Sequence, residues 1–368
     1  MCISQMPTII TIVFLAVSFA YAILIISICF GFKKIARQPR YSSANLAVSV
    51  IVPFHNEEGT IQRTLESILS QQTDADFEVI AINDHSTDNS HGVVSAMLAS
   101  NPRLRLIESD GNGKKNALAE AVAAARHNAI ITTDADCTYP QGWLNAMAAT
   151  FSYEKCALLA APVIIAPTDN WFRKFQFADF ASLVGSGIGA AGIGNPIMCN
   201  GANLMFDRLE YNKLTDPLNS KTASGDDVFL LHKMKAAGAK IRFTAQPETI
   251  ASTLPATSVS TFLRQRMRWG GKTTGYTDTD SLIVAVLVAA ESLLLCIGIA
   301  ALPLLWMPAL VLYLTKLIVD SLLLTAVCKQ FGNRHLLWWM PVFEFVVAIY
   351  TVAVTLAAVA GIGKNKWK

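Results

Sequence analysis

Charge is scarce in this chain. Asp, Glu, Lys and Arg together make up 15% of its 368 residues, against roughly 25% in ordinary soluble domains. The shortage is local: charged residues vanish from 7–32 and are rare between about 281 and 362, whereas 40–280 has the composition of a soluble domain. The seven cysteines, at 2, 29, 137, 156, 199, 296 and 328, contain no C-x-x-C pair and no metal-ligand spacing. An odd, scattered set fits reduced thiols facing a cytosol rather than a disulfide framework, and each reads as a small buried apolar side chain. The net charge is only +3 and no basic run carries interleaved aromatics, so no nucleic-acid partner is expected. The N-terminal end has neither the positive leader nor the short apolar core of a cleaved signal peptide.

What is present is long apolar runs. Pro7 through Phe30 is uncharged and long enough to cross a hydrocarbon core as a helix. Lys33, Lys34, Arg37 and Arg40 follow it directly, and by the positive-inside rule they place the domain beyond in the cytoplasm, with 1–32 as its anchor. A second apolar stretch, 281–328, is broken near Pro303 and Pro308 and holds two antiparallel spans; 338–362 holds a third. Glu291, Lys316, Asp320 and Glu344 lie inside these spans, where charges face a protein interior, snorkel, or line a path. Four spans would leave Lys364, Lys366 and Lys368 on the outer side, against the same rule.

Between the anchors (40–272), strand-like and helix-like segments alternate. Ala47–Val52 is a β-branched run ending at Pro53, 57–72 has amphipathic helical spacing, and Phe77–Asn83 is a second strand. Residues 89–100 and 112–126 read as helices, with strands near 103–107 and 129–133. This alternation implies an α/β fold, a mostly parallel sheet with helices on both faces, whose ligands bind beyond the carboxyl ends of the strands. Polar clusters stand at those ends: His55-Asn56-Glu57-Glu58, Asp84-His85-Ser86 and Asp134-Ala135-Asp136.

Each cluster has a bland reading and a chemical one. Asp134 and Asp136, two apart in an extended segment, point the same way. They are either a solvated turn or two hard donors for Mg²⁺ or Mn²⁺, which would bridge a diphosphate. Lys114 and Lys115 open a helix after Gly113, as surface lysines or as partners of a phosphate. Asp226 and Asp227 either complement a helix dipole, or Asp227 is the general base in a single displacement with inversion at an anomeric carbon. A glycosidase also uses two carboxylates but needs no metal–diphosphate element. Gln265-Arg266-Met267-Arg268-Trp269 is an interfacial anchor or a phosphate and sugar contact.

In this order the motifs resemble the membrane-bound, processive-type branch of glycosyltransferase family 2. The matching pieces are Val50–Glu57, Asp84 with Ser86 and Asp88, Gly113-Lys114-Lys115, Asp134-Ala135-Asp136, Gly225-Asp226-Asp227 and Gln265-x-x-Arg268-Trp269, spread over roughly 47–270. The resemblance implies a GT-A fold binding a nucleotide-sugar, with UDP the usual carrier. Pro53, Asn56 and Glu57 would stand near the nucleoside, Asp84 would read the base, and Lys114 or Lys115 would contact the nucleotide. Asp134 and Asp136 would hold the metal–diphosphate, and Asp227 would be the base. Gln265, Arg268 and Trp269 would close over the diphosphate and border the acceptor, beside Asp226 and the loop Gly201-Ala202-Asn203. That loop can equally cap the strand Leu204–Phe206. Gly185–Gly194 is either an acceptor loop near the membrane or a buried helix-packing segment, and 170–182 and 258–270 have an interfacial look.

Two acceptors fit the resemblance. Ceramide glucosyltransferases add one sugar to a membrane lipid, whereas cellulose, chitin and hyaluronan synthases elongate and extrude a glycan. One N-terminal span and about three C-terminal ones sit closer to the lipid-modifying layout. A non-catalytic membrane subunit that kept the fold is the reading from another class, and the full set of acidic positions argues against it. A transporter is disfavoured because the spans lack a large inverted repeat.

Overall fold

The computed structural model describes residues 6–41, 45–73, 75–166, 170–220, 222, 224–332 and 334–362. Among them run twelve α-helices and nine β-strands, numbered along the chain. They form two compact units: a helical one from the described parts of 6–33, 170–195 and 256–362, and an α/β one from those of 34–166 and 196–255.

The helical unit holds α1 (Met6–Ala36), α6 (Trp171–Gly192), α9 (Val259–Lys272), α10 (Thr279–Ala300), α11 (Leu302–Phe331) and α12 (Met340–Val359). Four stretches, Thr8–Ala36, Thr279–Ala300, Leu302–Phe331 and Leu337–Val359, are long and apolar enough to cross a membrane. The break expected near the prolines falls at Ala301, and Leu305 leaves helical geometry (φ −121°, ψ 18°) just ahead of Pro308. A proline ring displaces the carbonyl four residues back and offers it no N–H, which accounts for the kink. Phe14, Leu295, Leu305, Ala309, Leu312 and Ala348 pack the apolar centre of this unit. Lys364, Lys366 and Lys368, like Cys2, lie outside the described residues; the six described cysteines form no disulfide.

Segments 170–182 and 258–270, read from sequence as interfacial parts of the catalytic domain, fall in this helical unit, where α6 packs on α11 and α9 on α12. Gly185–Gly192 is the second half of α6 and not a loop. A Cβ at Gly189 would stand 2.3 Å from the Ile28 carbonyl oxygen, and one at Gly192 2.1 Å from that of Gly31. One at Gly31 would stand 2.0 Å from the Gly189 carbonyl oxygen. Glycine inside a helix costs on the order of 1 kcal/mol against alanine; here it lets α1 and α6 meet backbone to backbone.

The α/β unit contains β1 (Val48–Phe54), α2 (Ile61–Leu69), β2 (Phe77–Asn83), α3 (Ser90–Leu98), β3 (Leu104–Glu108), α4 (Lys114–Ala124), β4 (Ala129–Thr133) and α5 (Trp143–Glu154). Beyond these come β5 (Leu158–Ala160), β6 (Val163–Ile165), β7 (Asn203–Asp207), α7 (Arg208–Asn212), α8 (Asp226–Ala236), β8 (Ile241–Phe243) and β9 (Ala251–Thr253). Seven strands make one sheet in the order β3-β2-β1-β4-β7-β5-β8, and β6 pairs with β9 separately. All pairings are parallel except those of β7 with β4 and β5. The fully buried β1 runs through Pro53 to Phe54, past the expected end. Pairing with β4 stops at Ile51, so the proline sits beyond it, where a missing N–H breaks no bond to that neighbour.

Buried charge pins the far end of the sheet. Glu78 on β2 is almost wholly buried and accepts hydrogen bonds from Ser49 Oγ (2.7 Å), the Arg126 N–H (2.6 Å) and Arg105 Nη1 (2.7 Å). Burial alone would raise its carboxyl pKa, but these donors hold it below the ordinary value. A depressed folded-state pKa means stability that is present above the unfolded value and lost as pH falls through the folded one. Glu78→Ala should cost about 2–4 kcal/mol at neutral pH, by stranding buried donors. Unfolding curves of variant and parent should converge as the medium is acidified below the ordinary glutamate range; a gap independent of pH would show that packing, not charge, is what Glu78 supplies.

Candidate active site

Strand register brings the candidate residues to one edge. Phe54 pairs with Asn83, so the residues after β1 and β2 emerge side by side. Ile51 pairs with Thr132, which sets Asp134 next to the same edge. Thr133 faces Asn203 across the antiparallel pair, so Gly201 and Ala202 approach the strand end from the opposite chain direction. The reversed strand β7 is what brings the loop before it to the carboxyl ends of β1, β2 and β4.

The first two loops are stitched together. Asn56, in the left-handed region (φ 56°), accepts from the Thr87 N–H at 2.7 Å through its side-chain oxygen and donates its own N–H to Ser86 Oγ at 3.1 Å. His55 Nδ1 meets the Asp84 carbonyl. Asp84 is buried, and its Oδ1 accepts the N–H of Gly113 (2.8 Å), whose φ of +91° suits glycine. Glu57 accepts from Thr60 Oγ1 at 2.6 Å. Burial raises its carboxyl pKa; the Thr60 bond opposes that, and the charges of Asp136, Asp134 and Asp88 add to it.

Lys114 is the hinge of the cluster. Its Nζ donates to Asp134 Oδ1 at 2.6 Å and lies 3.5 Å from Asp226 Oδ2, joining two acidic motifs more than ninety positions apart. Burial would lower its pKa, but Asp134, Asp226 and Asp227 together hold it well above the ordinary lysine value. Lys115 takes another direction: it donates to the Asn219 carbonyl (2.8 Å) and Thr222 Oγ1 (2.7 Å), fixing the loop ahead of α8. Asp136 is held by Thr253 Oγ1 (3.2 Å) and Cys137 Sγ (3.4 Å). Burial first and Asp134 second push its carboxyl pKa up. Neither Thr253 nor Cys137 carries a sequence signal, since Thr253 comes 117 positions after Asp136 and meets it only through β9.

Asp226 and Asp227 form the first turn of α8, entered through Gly225 at φ +91°; carboxylates are favourable at that helix end. Asp226 is buried towards Lys114 and Asp227 is partly exposed. Asp227 Oδ2 accepts the Gly201 N–H (3.2 Å) and Oδ1 the Val228 N–H (2.8 Å). A Cβ at Gly201 would stand 3.3 Å from Asp226 Oδ2, so a side chain there would crowd the pair. Thr132 Oγ1 donates to the Gly201 carbonyl and Tyr139 O–H to that of Ala202, both at 2.7 Å. Asn203, placed by sequence on the acceptor side, is fully buried. Its side-chain N–H groups go to the Pro162 and Thr249 carbonyls, and its oxygen accepts from Trp143 Nε1. It holds the loop from beneath.

Gln265, Arg268 and Trp269 lie on α9 of the helical unit. The residue that organises them there is Arg266, which the sequence reading passed over. Its Nε donates to Asp179 Oδ2 at 2.8 Å, Tyr350 O–H donates to the same carboxylate, and Nη1 donates to Gln265 Oε1 at 3.1 Å. The guanidinium lies 4.3 Å from the Trp269 ring centroid. Gln265 and Trp269 are therefore oriented through a buried ion pair.

The donors at Asp134 and Asp136 fit a hard divalent cation. Two carboxylates at one strand end suit Mg²⁺ or Mn²⁺ completed by phosphate and water oxygens, and the repulsion of two like charges side by side would be relieved by it. Among the described residues no third acidic, His or Cys ligand joins them.

Comparison with known proteins places this geometry. Residues 49–210 match the family described as Glycosyl transferase family 2. The chain is 37% identical over 89 residues to a chondroitin synthase of Pasteurella multocida, covering 24% of this chain and 9% of that protein. It is 26% identical over 243 residues to an N-acetylglucosaminyltransferase of Sinorhizobium fredii, covering 63% of this chain and 58% of that one. It thus spans less than two thirds of these relatives. Among solved structures, a mannosyltransferase from Pyrobaculum calidifontis in complex with GDP-Man and Mn²⁺ aligns with a TM-score of 0.58 at 19% identity, over 95% of this chain and 99% of that one. The α/β unit is GT-A-like, with a mostly parallel sheet.

Proposed function

We propose, from the premise that residues 49–210 are a glycosyl transferase family 2 domain, that this chain transfers a sugar from a nucleotide-sugar to an acceptor with inversion at the anomeric carbon. The observation carrying this is the acidic cluster at the carboxyl edge of the sheet, Asp134, Asp136, Asp226 and Asp227, in which Lys114 pairs with Asp134 and Asp226. Asp134 and Asp136 would hold Mg²⁺ or Mn²⁺, whose bound charge offsets that of the diphosphate leaving group. Lys114 supplies a fixed positive charge beside the same position. Asp227, oriented by two backbone N–H groups, takes the proton from the attacking hydroxyl. Loops carrying Asn56, Glu57 and Asp84 line the nucleoside side.

The acceptor in this reading is a membrane lipid or lipid-linked sugar, and the donor is UDP-linked. Four apolar helices, with one near the N-terminus, support the lipid acceptor; the basic cluster after α1 supports a cytoplasmic active site. Extension of a glycan is the second reading, supported by the relatives named chondroitin synthase and N-acetylglucosaminyltransferase. A donor screen by nucleotide release, with lipid extract as acceptor, is expected to give one chloroform-soluble labelled product and no turnover after chelation. A ladder of polymer would establish the second reading instead, and turnover that survives chelation would remove the metal role from Asp134 and Asp136.

A further inference from the structure

We infer that Glu291 is the centre of a monovalent-cation site inside the helical unit, filled by a proton or by a sodium-class ion. Five ionisable residues from four helices meet there: Tyr21 of α1, Glu291 of α10, Lys316 and Asp320 of α11, and Glu344 of α12. Glu291, Lys316 and Glu344 are 1%, 3% and 3% exposed. The spans carrying them are apolar enough to cross a membrane, so the usual dilution of charge by water is absent.

Counting donors leaves both oxygens of Glu291 without one. An ammonium has three N–H groups. Lys316 Nζ donates to Asp320 Oδ2 (2.5 Å) and the Tyr21 hydroxyl oxygen (3.2 Å), and it stands 2.9 Å from Glu344 Oε2 as an ion pair. Tyr21 passes its own O–H to Asp320 Oδ1 at 2.8 Å. Glu291 Oε2 lies 3.9 Å from Lys316 Nζ, within Coulombic reach but beyond a hydrogen bond, and neither of its oxygens has a hydrogen-bond partner. Charge points the same way. One ammonium faces three carboxyls and offsets the charge of only one of them.

An ionised, unpartnered carboxylate at this depth would cost several kcal/mol. Glu291 therefore holds a cation of its own. Two further buried oxygens of this unit have no hydrogen-bond partner: Glu344 Oε2, which is held by Lys316 as an ion pair, and Ser18 Oγ on α1 between Phe14 and Tyr21. Phe14 packs beside Leu295, one turn from Glu291, and Tyr21 bonds Lys316. Ser18 thus lies between these two contacts along α1.

The test uses the full chain purified in lipid nanodiscs and does not depend on sugar transfer. For a proton, the wild-type protein at neutral pH is expected to show the infrared band of a buried protonated carboxyl, which Glu291→Gln weakens. For a sodium-class ion, the thermal midpoint is expected to rise in NaCl over N-methyl-D-glucamine chloride, and Glu291→Gln abolishes that rise. If the wild-type protein shows neither the band nor the sodium-specific rise, the inference is overturned. Both readouts are taken first on the wild-type chain, so they hold even if the variant fails to fold.

Discussion

Asp227→Asn is expected to lower sugar transfer by roughly 10²–10⁴-fold, the range for loss of a general base, while nucleotide-sugar affinity stays within a few-fold. The carboxylate accepts the Gly201 and Val228 N–H groups, and the metal role is assigned to Asp134 and Asp136. An amide in its place keeps the shape but turns one N–H₂ towards a backbone N–H, which costs about 1 kcal/mol of local stability. The separation is therefore between chemistry and binding. Steady-state kinetics alongside calorimetric titration of the donor would check it, and transfer at the parental rate would remove Asp227 as the base.

Lys114→Met should be damaging in a different way. Its loss leaves Asp134 and Asp226 without their shared counter-charge in a half-buried site. Removing one partner from such a cluster costs about 1–3 kcal/mol once solvent screening is allowed for. Loss of a positive charge beside a leaving diphosphate costs on the order of 10²-fold in turnover. Lowered stability and lowered turnover should appear together, and Lys114→Arg should recover part of both. The comparison requires thermal unfolding and initial rates on the same preparations. A Met variant as stable as its parent would mean that the ion pairs contribute nothing to the fold.

Much of this site was legible in the sequence because strands announce their ends. Asp134 and Asp136 follow a β-branched run, and Asp84 follows the strand Phe77–Asn83, whose bounds the sequence reading matches. Lys114 was legible only as a lysine at a helix start. Its partners depend on the order of strands in the sheet, which no local pattern encodes. The three-residue strands β5, β6, β8 and β9 are too short to show alternation, yet β9 delivers Thr253 to Asp136. Helix α5 went unread because eight of its twelve residues are buried, which leaves no polar stripe to detect. In the helical unit the charges were visible as anomalies, but their pairing was not. Glu291 and Lys316 are 25 positions apart on different helices, and only packing brings them together. The glycine-rich stretch had two sequence readings, and the close approach of α6 to α1 selects helix packing.

That close approach changes what the N-terminal helix is. A span defined by hydropathy alone could be exchanged for any other apolar stretch of equal length, because lipid reads only its average character. Gly31 is different: the space beside it is filled by the Gly189 carbonyl, so α1 is read residue by residue by the middle of the chain. The first helix is thus a structural partner of α6, a segment laid down more than a hundred residues later. During synthesis its glycine must therefore stay uncovered until that partner arrives.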